Sequence, residues 1–221
     1  MSEATGGRRE RRKAQTRAEV RETAQRLFAE RGFDAVTIAD VAAAADVAVQ
    51  TVFNHFETKE ALFFDGRTPW VEGVAAAVAA RPAGTGPLSA LCSYLETDLS
   101  ALLEQEARPE NRSYLEALAS SASLQARERT LVEQAGELVA GALVGAIAPG
   151  DPAPSPAVQV VSRLAADLFL ITGRVLVLDH RRRVLDGAPA QHRRPVTPAD
   201  ALTVLEDGVR ELARRLDVPV D

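Results

Sequence analysis

The chain has 221 residues, of which 46% are hydrophobic and 26% charged, so we expect a globular protein and exclude collagen-like and low-complexity chains. The formal net charge is −5, yet residues 1–17 hold six basic against two acidic side chains, and residues 71–221 hold 15 against 20. A short basic segment on an acidic body is typical of a protein whose one end meets a polyanion. The alternative is an ordinary solvated terminus.

Cysteine content and hydropathy indicate the cellular compartment of the protein. The single Cys92 cannot form an internal disulfide, which favours a reducing compartment, and we expect a cytoplasmic protein. The longest uncharged apolar run, residues 138–148, has 11 residues, short of the roughly 20 that a membrane helix needs. The N-terminus is polar and Arg-rich rather than apolar. We therefore expect no membrane partner and no secretion signal.

Helical periodicity runs through nearly the whole chain and strand alternation is absent, which predicts an all-α fold. The first helix is predicted to open at Thr16, which forms a capping box with Glu19, and to end at Gly32. Its apolar residues recur on one face at helical spacing. They are Val20, Ala24, Leu27 and Phe28.

Three short helices are predicted next. Thr37 and Asp40 predict the N-cap of the first of them, and Asp46 its end. Its inward residues are predicted to be Ile38, Val41 and Ala42. The next helix is predicted over residues 49–56, with Val52, Phe53 and Phe56 buried. The last is capped by Thr58 and ends toward Gly66 and Pro69.

Longer helices are predicted beyond Pro69. They cover residues 70–80, 88–106, 110–121, 124–148, 156–185 and 198–216, with connections over 81–87, 149–156 and 186–195. Ser155 and Thr197 are predicted N-caps, each followed by a first-turn proline. The last helix carries a coiled-coil-like seam at spacings of three and four. Its residues are Leu202, Leu205, Val209, Leu212 and Leu216.

The second and third helices, joined by a tight turn, predict a helix-turn-helix unit, which presents its second helix outward. Glutamine and asparagine can bond adenine edges, and threonine and valine can contact the thymine methyl. The predicted outward residues are Val49, Gln50, Thr51, Asn54 and His55. A solvated polar face is the alternative interpretation.

Residues 37–62, TIADVAAAADVAVQTVFNHFETKEAL, resemble the DNA-binding signature of the TetR family of bacterial transcriptional repressors. Residues 24–33, AQRLFAERGF, resemble its first helix. The resemblance covers about residues 15–65 and implies an N-terminal three-helix helix-turn-helix DNA-binding domain joined to a larger helical bundle for effector binding and dimerisation. We accordingly expect a basic flexible arm over residues 1–13, a DNA-binding domain over 14–68 and the bundle over 69–221.

The resemblance also implies roles for individual residues. Val49, Gln50 and Thr51 would approach base edges, with Asn54 on the same face. The residues implied to lie against phosphate are Thr37, Phe53, His55 and Lys59. Three positions depart from the family pattern: Asp46 replaces a turn glycine, Ala48 a capping hydroxyl residue, and Phe53 a tyrosine. We therefore expect a looser recognition helix and one fewer phosphate bond per subunit.

For the C-terminal part, the resemblance implies a small-molecule effector site and a homodimer, which reads a near-palindromic operator. The predicted dimer interface is Val161, Leu168, Val175, Leu202, Leu205, Val209 and Leu212. Packing of these residues inside the monomer is the alternative. The candidate effector pocket is Trp70, Tyr94, Tyr114, Arg163, Asp167, Phe169 and Arg174. For each aromatic residue, core packing is the alternative.

Basic residues around the last predicted loop could meet an acidic partner, with a solvated loop as the alternative. They are Arg181, Arg182, Arg183, His192, Arg193 and Arg194.

Enzyme motifs are missing from the sequence. The three histidines lack metalloprotease spacing, and there is no phosphate-binding loop or nucleophile elbow. We expect no enzyme, no cofactor and no metal, and a dimeric repressor released from double-stranded DNA by an effector. The alternative function is a helical interaction or scaffold protein that does not bind specific DNA.

Overall fold

The computed structural model describes residues 3–187 and 196–220, and every regular element among them is helical. The helices are α1 (Glu3–Arg31), α2 (Ile38–Ala44), α3 (Val49–Phe53), α4 (Lys59–Phe64), α5 (Pro69–Glu72), α6 (Val74–Ala79), α7 (Pro87–Glu106), α8 (Arg112–Ser120), α9 (Ala122–Ile147), α10 (Pro156–Asp186) and α11 (Pro198–Arg215). A 3₁₀ turn over Pro109–Asn111 precedes α8. The all-α prediction is confirmed.

The chain divides into two compact units. The first unit comprises Met1–Arg67 and Ser113–Arg127, and the second comprises Thr68–Arg112 and Glu128–Asp221. The predicted boundary at residue 68 lies one residue beyond the first unit's end at Arg67. The sequence did not predict that α8 and the start of α9 join the N-terminal helices, because this association joins residues about 50 apart that share no local pattern.

The first unit is built on the apolar face of α1. Its predicted stripe is buried: Val20 and Ala24 are fully covered and Leu27 and Phe28 nearly so. An aromatic cluster extends this core, with ring centroids 4.8 to 5.8 Å apart. Its members are Phe28, Phe33, Phe63 and Tyr114.

Helix α1 begins at Glu3, so the predicted start at Thr16 is wrong. Thr16 lies inside the helix, where its hydroxyl has no exposed N-terminal amides to cap. The predicted arm over residues 1–13 is therefore helical from residue 3 onward. The end at Gly32 is confirmed, with that glycine at φ 81°.

Helix α3 is shorter than predicted, ending at Phe53 rather than residue 56. The prediction that Phe53 is buried is wrong, since 44% of this residue is exposed. Val52 and Phe56 are buried as predicted. The prediction placed Phe53 and Phe56 on the same face of one helix. Because α3 ends at Phe53, that spacing does not apply, and the two side chains differ in burial.

The predicted helix over residues 70–80 is two helices, α5 and α6, which meet at Gly73. A Cβ added at Gly73 would overlap the hydroxyl of Tyr94. Glycine is therefore required for the close approach of the backbone to Tyr94 at this junction. The N-caps predicted at Thr37, Ser155 and Thr197 are confirmed.

The second unit has an apolar core to which α5, α6, α7, α10 and α11 contribute. The indole of Trp70 is buried against Gly173, where an added Cβ would lie 3.1 Å from the ring. Helix α9 is long and apolar enough, by length and composition alone, to cross a bilayer, as the core helices of soluble proteins also are. Val139 and Leu143 of α9 belong to this core.

An ionic cluster is buried among these apolar residues. Arg181 donates to both carboxylate oxygens of Glu106 at 2.7 to 3.0 Å and to Glu128. All three residues are no more than 5% exposed. The expectation that Arg181 flanks a loop as a solvated or partner-binding residue is wrong, because Arg181 pairs within its own unit. His192, Arg193 and Arg194 lie outside the described residues.

Candidate nucleic-acid interface

Helices α2 and α3 form the predicted helix-turn-helix. The side chain of Thr37 accepts from the backbone of Asp40, whose carboxylate accepts in return from Thr37, which completes a capping box. These hydrogen bonds hold the pKa of Asp40 below its usual value. Asp46 adopts φ 53° in the turn, a left-handed conformation that aspartate tolerates better than most residues.

The turn leads into α3 without a side-chain cap, because Ala48 has no group to accept a hydrogen bond. A five-residue helix cannot be stable by itself. Val52, fully buried, and Phe56, just beyond the helix, anchor α3 to the first unit's core. The orientation of α3 therefore depends on packing rather than on local capping.

The outer face of α3 carries the predicted base-reading side chains. Val49 is 42% exposed, and Gln50 and Asn54 are also exposed. The Gln50 amide donates to Asn54 Oδ1 at 3.2 Å, so the two side chains hold each other in place. Thr51, and His55 just after the helix, are half-buried rather than fully exposed. The structure thus groups amide donors and acceptors beside an apolar side chain.

Arg17 of α1 supports the end of α3. Its guanidinium donates to the backbone carbonyl of His55 at 2.7 Å, pairs with Asp65, and lies 4.4 Å from the centre of the Phe56 ring. Burial, followed by the charges of Arg17 and Lys13, lowers the pKa of His55. Both effects favour the neutral imidazole in the free protein. Sequence reasoning missed Arg17, and only its place on the basic segment could have suggested it.

Two residues with implied phosphate roles make internal contacts. Lys59 Nζ donates to the carbonyls of Phe33 and Val36 at 2.9 and 3.1 Å and lies 4.1 Å from the Phe33 ring centre. The hydroxyl of Thr37 is engaged by Asp40. Each thus has a structural role in the first unit, and the phosphate contacts of Thr37, Phe53, His55 and Lys59 stay predictions.

The predicted effector residues do not form one group in the structure. Tyr114 belongs to the first unit, where its ring stacks on Phe63. Trp70 and Phe169 are core residues of the second unit, and the Trp70 indole nitrogen is buried without a hydrogen-bond partner among the described residues. Arg163 and Asp167 form an exposed ion pair at 2.7 Å.

Tyr94 and Arg174 are half-buried in the second unit. The pKa of Tyr94 is raised, first by burial and then by a hydrogen bond to Asp98. A surface cavity of about 670 Å³ in this unit lies on α11 and the residues after it, and is lined by none of the predicted pocket residues.

The predicted dimer interface is partly wrong. Val161, Leu202 and Val209 are buried inside the second unit, as the alternative interpretation had it. Leu205 and Leu212 are half-buried, whereas Leu168 and Val175 are exposed. The last two lie on an outer apolar stripe of α10 at spacings of three and four residues. This α10 stripe comprises Val160, Leu164, Leu168, Ile171, Val175 and Leu178.

Comparison with known proteins relates the N-terminal helices to a family of regulatory proteins. Residues 20–65 match the model of the bacterial regulatory proteins of the tetR family, a range that covers α2, α3 and α4 and the C-terminal part of α1 from Val20 onward. The HTH-type transcriptional regulator TcmR of Streptomyces glaucescens is 31% identical over 100 residues, which are 45% of this chain and 44% of that protein. The match therefore spans less than half of the curated relative.

Solved structures share the fold over most of the chain. A putative transcriptional regulator of Pseudomonas aeruginosa superposes with a TM-score of 0.53 at 20% identity, covering 91% of this chain and 93% of that one. A TetR-family regulator of Streptomyces coelicolor superposes with a TM-score of 0.51 at 18% identity, covering 91% and 96%. At these identities the likeness concerns the fold alone.

Proposed function

We propose that the chain is a dimeric transcriptional repressor of the tetR family that a small-molecule effector releases from DNA, because residues 20–65 match the model of that family. Its site of action would be the bacterial cytoplasm. The observation that carries this proposal is the outer face of α3, where Val49, Gln50 and Asn54 stand exposed on a helix-turn-helix.

The chemistry of that face fits the major groove. An amide side chain can donate to and accept from one adenine edge, and a valine can contact the thymine methyl group. Gln50 donates to Asn54 at 3.2 Å in the free protein, so the two amides form one polar patch on the outer face of α3. Neutral His55 can donate to a phosphate, and a nearby phosphate would raise its pKa.

A second copy of the chain is the partner that we propose for the α10 stripe. Its six large apolar residues are each between 37% and 58% exposed on one helix face. A long apolar patch on a soluble protein marks an interaction surface. Self-association through this patch would also provide two recognition helices, which a near-palindromic operator requires.

We place the effector in the second unit, where Trp70 leaves its indole nitrogen buried without a partner among the described residues. Tyr94 and Arg174 remain candidate polar contacts. Release would follow if the effector binds better to a conformation whose two recognition helices no longer match the operator spacing.

The test is fluorescence anisotropy of the purified protein on duplexes tiled across the DNA that flanks its own gene, with excess nonspecific competitor. The proposal predicts tight, salt-sensitive binding to a near-palindromic duplex. Weak binding to every tiled duplex, followed by an empty genome-wide pull-down, would favour the scaffold alternative.

A further inference from the structure

We propose that the N-terminal half of α1 is a second DNA contact, in which a basic row of Arg9, Arg12 and Lys13 binds phosphates beside the segment that α3 reads. This inference rests on the proposed function, because it concerns the same DNA. It adds a surface that lies outside the matched residues 20–65.

The first observation is that α1 continues far beyond the core that it serves. From residue 9 onward the first buried residue is Val20, and residues 9–15 are all exposed, although the helix begins at Glu3. A polar helical segment without an apolar face adds little to the stability of a unit. The core of the first unit therefore does not account for this extension.

The second observation is the side of the helix on which the charges lie. At 100° per residue, Arg9, Arg12 and Lys13 fall within an arc of about 100°, whereas Arg11 lies on the opposite side. Arg17 follows Lys13 by one turn on the same side, and its guanidinium bonds the carbonyl of His55. The basic row thus begins beside the end of α3.

The pKa of His55 agrees with this placement, because the charge of Lys13 is among the causes that lower it. From Lys13 to Arg9 the row extends about 6 Å along the helix axis. The cations are therefore held at fixed intervals next to the surface that would face DNA.

The third observation is that these charges are not neutralised locally. Seven arginines elsewhere each pair with an acid three or four residues away. They are Arg26, Arg163, Arg182, Arg183, Arg210, Arg214 and Arg215. The cations of the basic row make no ion pair with a residue that the structure describes. A surface of unpaired cations is suited to a polyanion.

Double-stranded DNA is the occupant that these observations favour. It presents about one negative charge per 1.7 Å of its axis, and binding releases its counterions. The row is also continuous with the face that would meet DNA. An acidic protein partner would fit the charge but would not require the row to adjoin α3.

The test is a salt titration of the full-length protein on a fluorescent duplex of random sequence, from about 50 to about 250 mM salt. Such a duplex needs no knowledge of the operator. Lys13→Ala should reduce the slope of log affinity against log salt by about 0.9 per protomer, and Arg9→Ala with Lys13→Ala by about 1.8.

Arg11→Ala is the matched control, since it removes one exposed charge from the opposite side and should leave the slope unchanged. Alanine is the best helix former, so these variants should keep α1 helical, as circular dichroism can verify. A slope reduced equally by Lys13→Ala and Arg11→Ala, or by neither, would overturn the inference and leave the proposed function standing. Absence of salt-dependent binding by the wild type would overturn both.

A second variant tests whether the helix presents the charges. Ala14→Pro keeps every cation but removes a helical hydrogen bond and disfavours helical geometry at Lys13. We expect its slope to fall toward that of the double variant. A wild-type slope for Ala14→Pro would contradict the helical row.

Discussion

The guanidinium of Arg17 donates a 2.7 Å hydrogen bond to the backbone carbonyl of His55, which lies 38 residues away in sequence. This contact joins α1 to the segment that follows the recognition helix. Because α3 has only five residues and no side-chain cap, its position depends on such tertiary contacts.

Replacing Arg17 should therefore loosen α3. Arg17→Ala removes the bond to His55, the pair with Asp65 and the contact with the Phe56 ring. The arginine side chain is 44% exposed, so solvent screening limits the loss to about 1 kcal/mol in the free energy of unfolding. Urea denaturation measures it. Arg26→Ala, which breaks only an exposed pair with Glu30, is the control, and equal losses would contradict the anchoring role.

Restoring a cap should stabilise α3. Ala48 has extended backbone geometry at the N-cap position, φ −69° and ψ 146°, which a serine can adopt. Ala48→Ser should raise the free energy of unfolding by about 1 kcal/mol, because its hydroxyl can accept from a first-turn amide. Ala39→Ser, on the exposed face of α2, should give no gain. Thermal denaturation distinguishes them, and a serine at 48 without effect would show that the missing cap is unimportant.

The buried ionic cluster makes Arg181 sensitive to substitution. Arg181→Met would leave the carboxylates of Glu106 and Glu128 buried without their cation. The expected loss in the free energy of unfolding is about 3 to 5 kcal/mol. Arg163→Met breaks an exposed pair with Asp167 and should cost far less, because solvent screens that pair. Losses of similar size in urea denaturation would argue against a structural role of the cluster.

The α10 stripe gives a prediction about assembly. Val175 is the most exposed residue of the stripe, at 58%, so Val175→Arg should leave the monomer folded and place a charge in the proposed dimer interface. We expect sedimentation velocity to show a dimer for the wild type and a monomer for the variant, with weakened operator binding. Val204→Arg, at a 72% exposed site on α11, is the control. A wild-type monomer, or a dimeric Val175→Arg, would refute the interface.

The sequence predicted helix N-caps correctly where the cap depends only on neighbouring residues. The caps at Thr37, Ser155 and Thr197 need only a hydroxyl and the amides of the next turn, so the sequence sufficed. The same signature misled at Thr16, because the polar residues before it are also good helix formers and the helix continues through them.

Contacts between residues far apart in the chain could not be predicted from the sequence. Arg181 meets Glu106 and Glu128 across 75 and 53 residues, and no spacing rule relates them. Helix α10 is apolar on two sides, so its periodicity could not tell which side faces the core. Val161 was consequently assigned to the dimer, and Ile171 was overlooked as an exposed residue.

The central claim is that α3 reads base pairs, and selection of bound duplexes from a random-sequence pool tests it most directly. The account predicts that the wild type enriches a near-palindromic motif with two half-sites. Gln50→Ala should lose preference at one position per half-site, with affinity for the wild-type motif reduced about tenfold to a hundredfold and nonspecific binding unchanged. A pool that stays random under wild-type selection, or an unchanged motif and affinity for Gln50→Ala, would contradict the claim.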